Sequence, residues 1–273
     1  MAVEKVTAAA NTGQDSISSM VQVKLKANAV LAQIFMDVTN FATPGDKSIS
    51  FPRWSNEFSV QKLNGAQKGD DQEALFALDQ LDLSEEAHIQ WVIKKFDQAR
   101  AKVQILQAAI GEATTEHGLS LDTDIYAQLD TGIEASNLLS GALTQAKIVD
   151  MIVQANTIRM PRMNRAWIFS NAEYGNLLKI SDFIDASKSN FDSIRTGQIG
   201  TLYGYPVFES DTVAAGNSYL VHSNAVCYGF GSLPSIEDQK AIEYGTGSRR
   251  WVMDQLYGTK NLNTGKLVVK LSE

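Results

Sequence analysis

The stretch between Gly45 and Leu83 constrains this chain most, because its pattern is a long hairpin that carries little core of its own. Thr43-Pro44-Gly45-Asp46 forces a turn: proline presets φ and glycine tolerates left-handed backbone. From Ser48 to Val60, Ile49, Phe51, Trp54, Phe58 and Val60 sit among polar residues, which predicts extended chain. Pro52 cannot donate to a ladder and so predicts an edge or a bulge. Asn64 to Asp71 is a loop tip, and the chain returns through Leu75, Ala77, Asp79, Leu81 and Leu83. A two-stranded ribbon is marginal alone in water. Such a hairpin is odd inside a compact domain and expected on an interaction arm.

The residues before it are a second projection. Ile17, Met20, Val21, Leu25, Leu31 and Phe35 recur at roughly helical spacing, with Asp15 and Ser16 as start signals. A lone stripe cannot bury itself, so it must lie on the body of its own subunit or on a neighbour. Met1 to Gln14 is small and polar and lacks an apolar signal core. No window is apolar for long enough to span a bilayer. The expectation is a protein made and used in a cytoplasm, without a membrane partner.

Residues 84–117 fit two patterns. Ile89, Val92, Ile93, Phe96, Ala99, Val103, Leu106 and Ile110 make a helical stripe, while Ile89, Trp91 and Ile93 alternate as in a strand. Ser84 before Glu85 and Glu86 resembles a helix start. The spacing predicts a helix over Phe96–His117, about 33 Å long at ~1.5 Å per residue, with Gly118 as its stop. Asp122–Leu129 then adds another helical turn or two. Further on, Ala142–Ile158 and Asn171–Ile180 are predicted helices, and Ala166–Phe169 is a predicted buried strand. Tyr205–Phe208, Ser218–Val221 and Ala225–Phe230 are predicted short strands. Gly197, Gly200 and Gly204 punctuate a predicted loop. From Ile236 through Trp251 to Val268 and Val269 the chain is predicted to be extended and antiparallel.

Charge excludes one class of function. The 273 residues carry a formal net charge of −7, the opposite of the basic footprint of a nucleic-acid binder. Cys227 stands alone in the apolar run Ala225–Tyr228, so no intrachain disulfide forms and the thiol is a small core hydrophobe.

The motifs that carry chemistry are incomplete. His88, His117 and His222 lack metal-ligand spacing. The glycines at 197, 200 and 204 make neither a dinucleotide fingerprint nor a P-loop. Gly229-Phe230-Gly231-Ser232-Leu233 lacks the closing glycine of a nucleophile elbow. Asp70, Asp71 and Glu73 do not match a calcium loop. Arg159, Arg162 and Arg165 are suited to phosphate or to a neighbour's carboxylates, against a default reading as a polar loop. No nucleophile, base and orienter come together. The expectation is no enzyme, no catalytic residue, no cofactor and no metal.

Four segments carry a family resemblance. Gly45-Asp46-Lys47-Ser48-Ile49-Ser50-Phe51-Pro52-Arg53 looks like the entry to an extended hairpin loop. Leu81-Asp82-Leu83 through Ile93, running into Phe96–Gly118 and Asp122-Thr123-Asp124-Ile125, looks like its return and a spine helix. Gly197-Gln198-Ile199-Gly200-Thr201-Leu202-Tyr203-Gly204-Tyr205-Pro206-Val207 resembles a turn into an axial-domain strand. Tyr257-Gly258 followed by Leu267-Val268-Val269-Lys270-Leu271 resembles a terminal strand. In this order and spacing they resemble the major capsid proteins of tailed bacteriophages, with the Hong Kong 97-type fold.

The resemblance implies an α+β fold. Residues 1–45 would be an N-terminal arm, 46–94 the extended hairpin loop and its return, and 95–128 the spine helix of a peripheral domain. Residues 129–233 would be an axial domain, and 234–273 returning strands of the peripheral domain. It assigns 81–93 mainly to strand. It implies a coat protein that assembles as pentamers and hexamers into an icosahedral head around double-stranded DNA, without strong specific binding to it. A portal protein and a separate scaffolding protein would be partners; about 45 residues before the hairpin are too few for a built-in scaffold. The location would be the virion capsid, assembled in a host cytoplasm. Intersubunit contacts are expected at Arg53, Trp54, Lys62, Asn64, Lys68, Asp70, Asp71, Arg249 and Arg250. Some members crosslink lysine to asparagine; Lys62 and Asn64 lie near the hairpin tip, but no partner or acidic catalyst matches here. An encapsulin-like nanocompartment shell is the alternative. A soluble enzyme of small discrete oligomers is a third reading, which no motif supports.

Overall fold

The computed structural model describes residues 29–43, 45–54, 60–62, 70–72, 76–95, 97, 105–180, 198–263 and 265–273. Their strands are β1 (Met36–Asp37), β2 (Ser48–Trp54), β3 (Phe76–Asp82), β4 (Glu85–Ile93), β5 (Leu138–Ser140), β6 (Arg165–Ser170), β7 (Gln198–Leu202), β8 (Tyr205–Ser210), β9 (Asn217–His222), β10 (Val226–Lys240), β11 (Arg249–Asn261) and β12 (Val268–Ser272). Among the described residues three α-helices join them: α1 (Ile105–Asp130), α2 (Gln145–Thr157) and α3 (Asn171–Leu177). Helix and sheet are mixed in one α+β body, as expected.

A four-stranded sheet runs in the order β1-β10-β11-β4, and a six-stranded sheet in the order β5-β12-β9-β6-β8-β7. β10 and β11 form a long antiparallel ladder from Val226↔Asn261 to Lys240↔Arg249. Its register shifts between Phe230 and Ser235, where Gly231 has no side chain to pack and Pro234 has no N–H to donate. The short strand expected at Ala225–Phe230 is therefore only the first part of β10. β4 pairs antiparallel with β11, so 85–93 is strand despite the helix-start signals at Ser84–Glu86. Cross-strand partners Trp91↔Trp251 and Ile89↔Met253 bring apolar side chains onto one face of the sheet, which a helix here would scatter.

Helix α1 corrects the expectation of a stop at Gly118. It runs through that residue without a break, and Asp122–Leu129 belongs to the same helix. Its buried stripe is Ile110, Ala113, Thr114, His117, Gly118, Leu121, Asp122, Ile125 and Leu129, at helical spacing throughout. A glycine ends a helix where the chain can turn left-handed, and Gly132 does so, at φ 74°. Gly118 is instead buried. Sinking Leu121, Ile125 and Leu129, each at most 1% exposed, outweighs its propensity cost of ~1 kcal/mol. On the stripe expected from sequence, Ile110 is buried and Leu106 half-buried; Phe96 and Val103 lie outside the described residues.

The stripe joins the two sheets. Leu121, Ile125 and Leu129 share one core with Ala166, Ile168, Tyr219 and Val221 of the six-stranded sheet and with Val226, Tyr228, Phe230 and Tyr257 of the four-stranded one. The far face of the six-stranded sheet is covered by Ile148, Met151 and Ala155 of α2 and by Leu177 of α3. With both faces covered, all six residues of β6 are buried, which explains its unbroken apolar run.

Three further expectations change. Gly200 lies in β7, and the β7–β8 turn is made by Tyr203 and Gly204 at φ 52° and 83°, the pair of positive φ values that a two-residue hairpin needs. Gly197 lies outside the described residues. β12 pairs with β9 and β5, so 234–273 is divided between the two sheets. Leu31–Gln33 is a 3-10 turn, and Leu31, Ile34 and Phe35 bury into the same subunit; Ile17, Met20, Val21 and Leu25 lie outside the described residues. No helix among the described residues is long and apolar enough to cross a membrane.

Candidate assembly surfaces

The hairpin expected to reach outward is built from β2 and β3, paired from Ser48↔Asp82 to Trp54↔Phe76. Both are edges of a two-stranded sheet, so Pro52 removes no central hydrogen bond. Among the described residues of the hairpin, those at the root are packed. Ile49, Phe51, Leu81 and Leu83 are buried with Val38, Cys227 and Leu262, while further out Leu78 is 77% exposed and Val60 90%. Near the tip, the Asp70 N–H donates to Gln61 Oε1 at 2.7 Å.

Two glycines seat the root. Gly229 and Gly258 are cross-strand partners on β10 and β11. A methyl group on Gly229 would lie 2.6 Å from Ile49 Cδ1, and one on Gly258 would lie 2.1 Å from the Asp82 carbonyl oxygen. The absence of two side chains therefore makes the flat place where the hairpin crosses the sheet.

Charges fasten the same joint. Arg53 donates to Asp79 at 3.2 Å and to the Leu262 carbonyl at 3.0 Å. Lys260 donates to Asp79 at 3.2 Å and to the Gln80 carbonyl at 2.8 Å. Burial works to raise the Asp79 pKa, but the hydrogen bonds from Arg53 and Lys260 outweigh it and hold the carboxyl below its ordinary range. Cys227 lies beneath this joint, and burial pushes its thiol up to about 12, so it is neither nucleophile nor ligand at neutral pH.

The expected contact residues fall into two groups. Arg53 is at the hairpin root and spends its guanidinium inside its own subunit. Lys62, Asp70 and Asp71 are exposed towards the tip. Trp54 ends β2; its side chain, Asn64 and Lys68 lie outside the described residues. Arg249 and Arg250 begin β11, nine and eight residues from Gly258, which is ~30 Å along a strand. They pair with Asp238 and Glu243 of the same chain. The structure thus separates the hairpin group from the Arg249–Arg250 pair and satisfies three arginines internally. Arg159 and Arg162 are exposed. Arg165 is instead 2% exposed and donates to the Pro161 and Met160 carbonyls, Asn156 and Tyr205, so it cannot face phosphate or a neighbour. Sequence reasoning missed Asp79, Lys260 and the glycine pair, because Lys260 stands 181 residues from Asp79 and the glycines face a hairpin similarly distant in sequence, which leaves no local signal.

The three histidines stay apart in role. His88 is exposed and sits 2.5 Å from Asp254. His117 is buried in α1 and His222 is buried at the end of β9; burial first of all lowers the pKa of both. Among the described residues no three His, Cys, Asp or Glu side chains are grouped to hold a metal.

No protein-family model matches the sequence, and no curated protein matches it. Solved structures do. The head structure of Helicobacter pylori bacteriophage KHP40 aligns with a TM-score of 0.67 and 11% identity over 90% of each chain. This is the phage major capsid protein fold. The capsid of Ralstonia phage GP4 aligns at TM-score 0.65 and 10% identity over 87% of this chain and 86% of that one. Mycobacterium phage Che8 aligns at TM-score 0.59 and 17% identity over 83% and 84%. The fold is thus shared over 83–90% of this chain at 10–17% identity.

Proposed function

We propose that this chain is the major coat subunit of a tailed phage, its copies arranged as pentamers and hexamers in an icosahedral head around double-stranded DNA. The observation that carries this reading is the capsid fold, matched over 83–90% of the chain to subunits from phage heads. In this reading the chain is structural and has no catalytic role. Residues 1–45 and 46–94 are the two reaching elements, 95–128 the spine helix, and 129–233 an axial domain, with 234–273 completing the body. A separate scaffolding protein directs assembly in the host cytoplasm, and a portal protein takes one vertex. The hairpin lies across an adjacent subunit, with Lys62, Asn64, Lys68, Asp70 and Asp71 near its tip available for contact.

Physical chemistry supports the same reading. A hairpin whose root is buried while Leu78 and Val60 further out are exposed keeps that apolar surface for a neighbour. Many weak contacts made at once stabilise a closed shell through effective concentration, while each alone lets a misplaced subunit leave. A net charge of −7 leaves DNA mobile inside rather than gripped.

The test is assembly. Full-length chain, expressed with and without its scaffolding protein, should give particles of megadalton mass by light scattering and closed shells by negative-stain microscopy. A strictly monomeric or dimeric species under every condition would sink the proposal.

A further inference from the structure

An apolar cleft of about 360 Å³ lies where α1, β10 and the segment before β1 meet, walled by Ala29, Ala32, Leu121, Tyr228 and Phe230. Asp37, which is exposed, stands at its rim. The walls are fixed in place. Asp122, on the buried stripe of α1 and 4% exposed, accepts hydrogen bonds from the backbone N–H groups of Val30 at 2.7 Å, Leu31 at 3.1 Å and Ala32 at 3.2 Å. Further along, Met36–Asp37 pairs with Cys227–Tyr228. The cleft is therefore preformed, as binding sites for apolar groups usually are.

The chain itself enters at this cleft. Residues 17–28 lie outside the described residues, and the next residue, Ala29, is part of the wall. Leu25 is four residues from Ala29, so it lies within about 14 Å of it in fully extended chain and about 6 Å in a helix. Val21 and Leu25 share a face in either conformation, because a separation of four fits both the helical period and strand alternation. Lys24 and Lys26 are the only charged residues in 17–28, opposite in sign to Asp37. Lysine stems lie readily along apolar surface with the charged head in water.

We propose that the cleft is a docking site for the chain's own N-terminal segment. Val21 and Leu25 fill it, and Lys24 and Lys26 reach Asp37 at the rim. The short tether decides for the chain's own segment over that of a second copy. A few residues of linker hold Leu25 at an effective concentration on the order of millimolar, which a second copy in dilute solution does not match. The docking stands without the assembly reading. Under that reading, it leaves the residues before Ile17 to reach a neighbour.

Binding of an uncharged apolar dye, Nile red, to the unassembled full-length chain tests it. The wild-type chain should bind little dye. Val21→Asp with Leu25→Asp should uncover the cleft and give saturable binding with a severalfold rise in fluorescence. Adding Ala32→Leu, which narrows the cleft, should remove that gain. Lys24→Glu with Lys26→Glu should give a smaller rise that declines as salt screens the repulsion from Asp37, and it keeps the test open where the double Asp variant fails to fold. Strong saturable binding to the wild-type chain overturns the docking, as does a folded double Asp variant that binds no more dye than wild type. A rise that survives Ala32→Leu overturns it too, because the dye then sits elsewhere. Wild-type dye binding that grows on dilution would put a second copy's segment in the cleft and overturn docking within one chain.

Discussion

Gly229 and Gly258 matter for what they lack. Their missing side chains let the hairpin backbone pass within contact distance of β11, and the nearest obstacle to a Cβ on Gly258 is a main-chain oxygen that cannot rotate away. Gly258→Ala should therefore cost about 1–3 kcal/mol or more, as overpacking does, read as a lowered midpoint in urea. Gly175 is the control. It is helical in α3, and nothing lies within 4 Å of where its Cβ would be. Gly175→Ala should leave stability unchanged or raise it by up to about 1 kcal/mol. Equal losses in both variants would remove the close crossing as the explanation.

At the scale of elements, α1 holds the molecule together because its stripe touches both sheets. Its C-terminal half is pinned by side chains as well as by apolar contact. Tyr219 and Lys270, from β9 and β12, donate to Asp130 at 2.7 and 2.6 Å. Burial raises the Asp130 pKa, but these two bonds win and hold it below its ordinary range. Ile125 is fully buried in the shared core. Ile125→Ala should cost ~2–5 kcal/mol, whereas Gln107→Ala and Glu116→Ala, exposed on the same helix, should stay within about 0.5 kcal/mol. Denaturant titration of the three variants separates a one-sided stripe from uniform sensitivity.

At the scale of the whole molecule, the hairpin root is buried against the sheet while Leu78 and Val60 beyond it are exposed. Deleting Asn64–Glu73 should leave the unfolding midpoint of the subunit nearly unchanged, because loop tips in general carry little burial, while shells fail or close irregularly under the microscope. Unfolding of the isolated subunit on this deletion would show that the tip serves its own core. The acidic balance and the internal pairing of Arg165, Arg249 and Arg250 also predict weak binding of unassembled subunits to duplex DNA. A filter-binding titration at physiological salt should show no tight, salt-dependent complex. Such a complex would make the protein an organiser of the genome rather than its container.

What the amino-acid order determined by itself was whatever short-range rules govern. Alternation and turn residues set β2, β3 and the hairpin between them; helical spacing set α2 and α3; a continuous apolar run set β6. The family resemblance then tipped 85–93 to strand, and the structure bears this out through pairing with Arg249–Tyr257, more than 150 residues away. The rest needed the folded chain. Thr114, His117, Gly118 and Asp122 lie on the buried face of α1, so polar residues dilute its periodicity and no local signal carries the helix past Gly118. Arg165 looked like one of three surface arginines until four acceptors enclosed it. Asp122 looked like the start of a further helical turn, and it became an anchor only when residues 90–92 positions earlier placed three N–H groups on it. Tertiary structure decides such roles because burial and hydrogen bonding are fixed by neighbours in space, and the neighbours that matter here are distant in sequence.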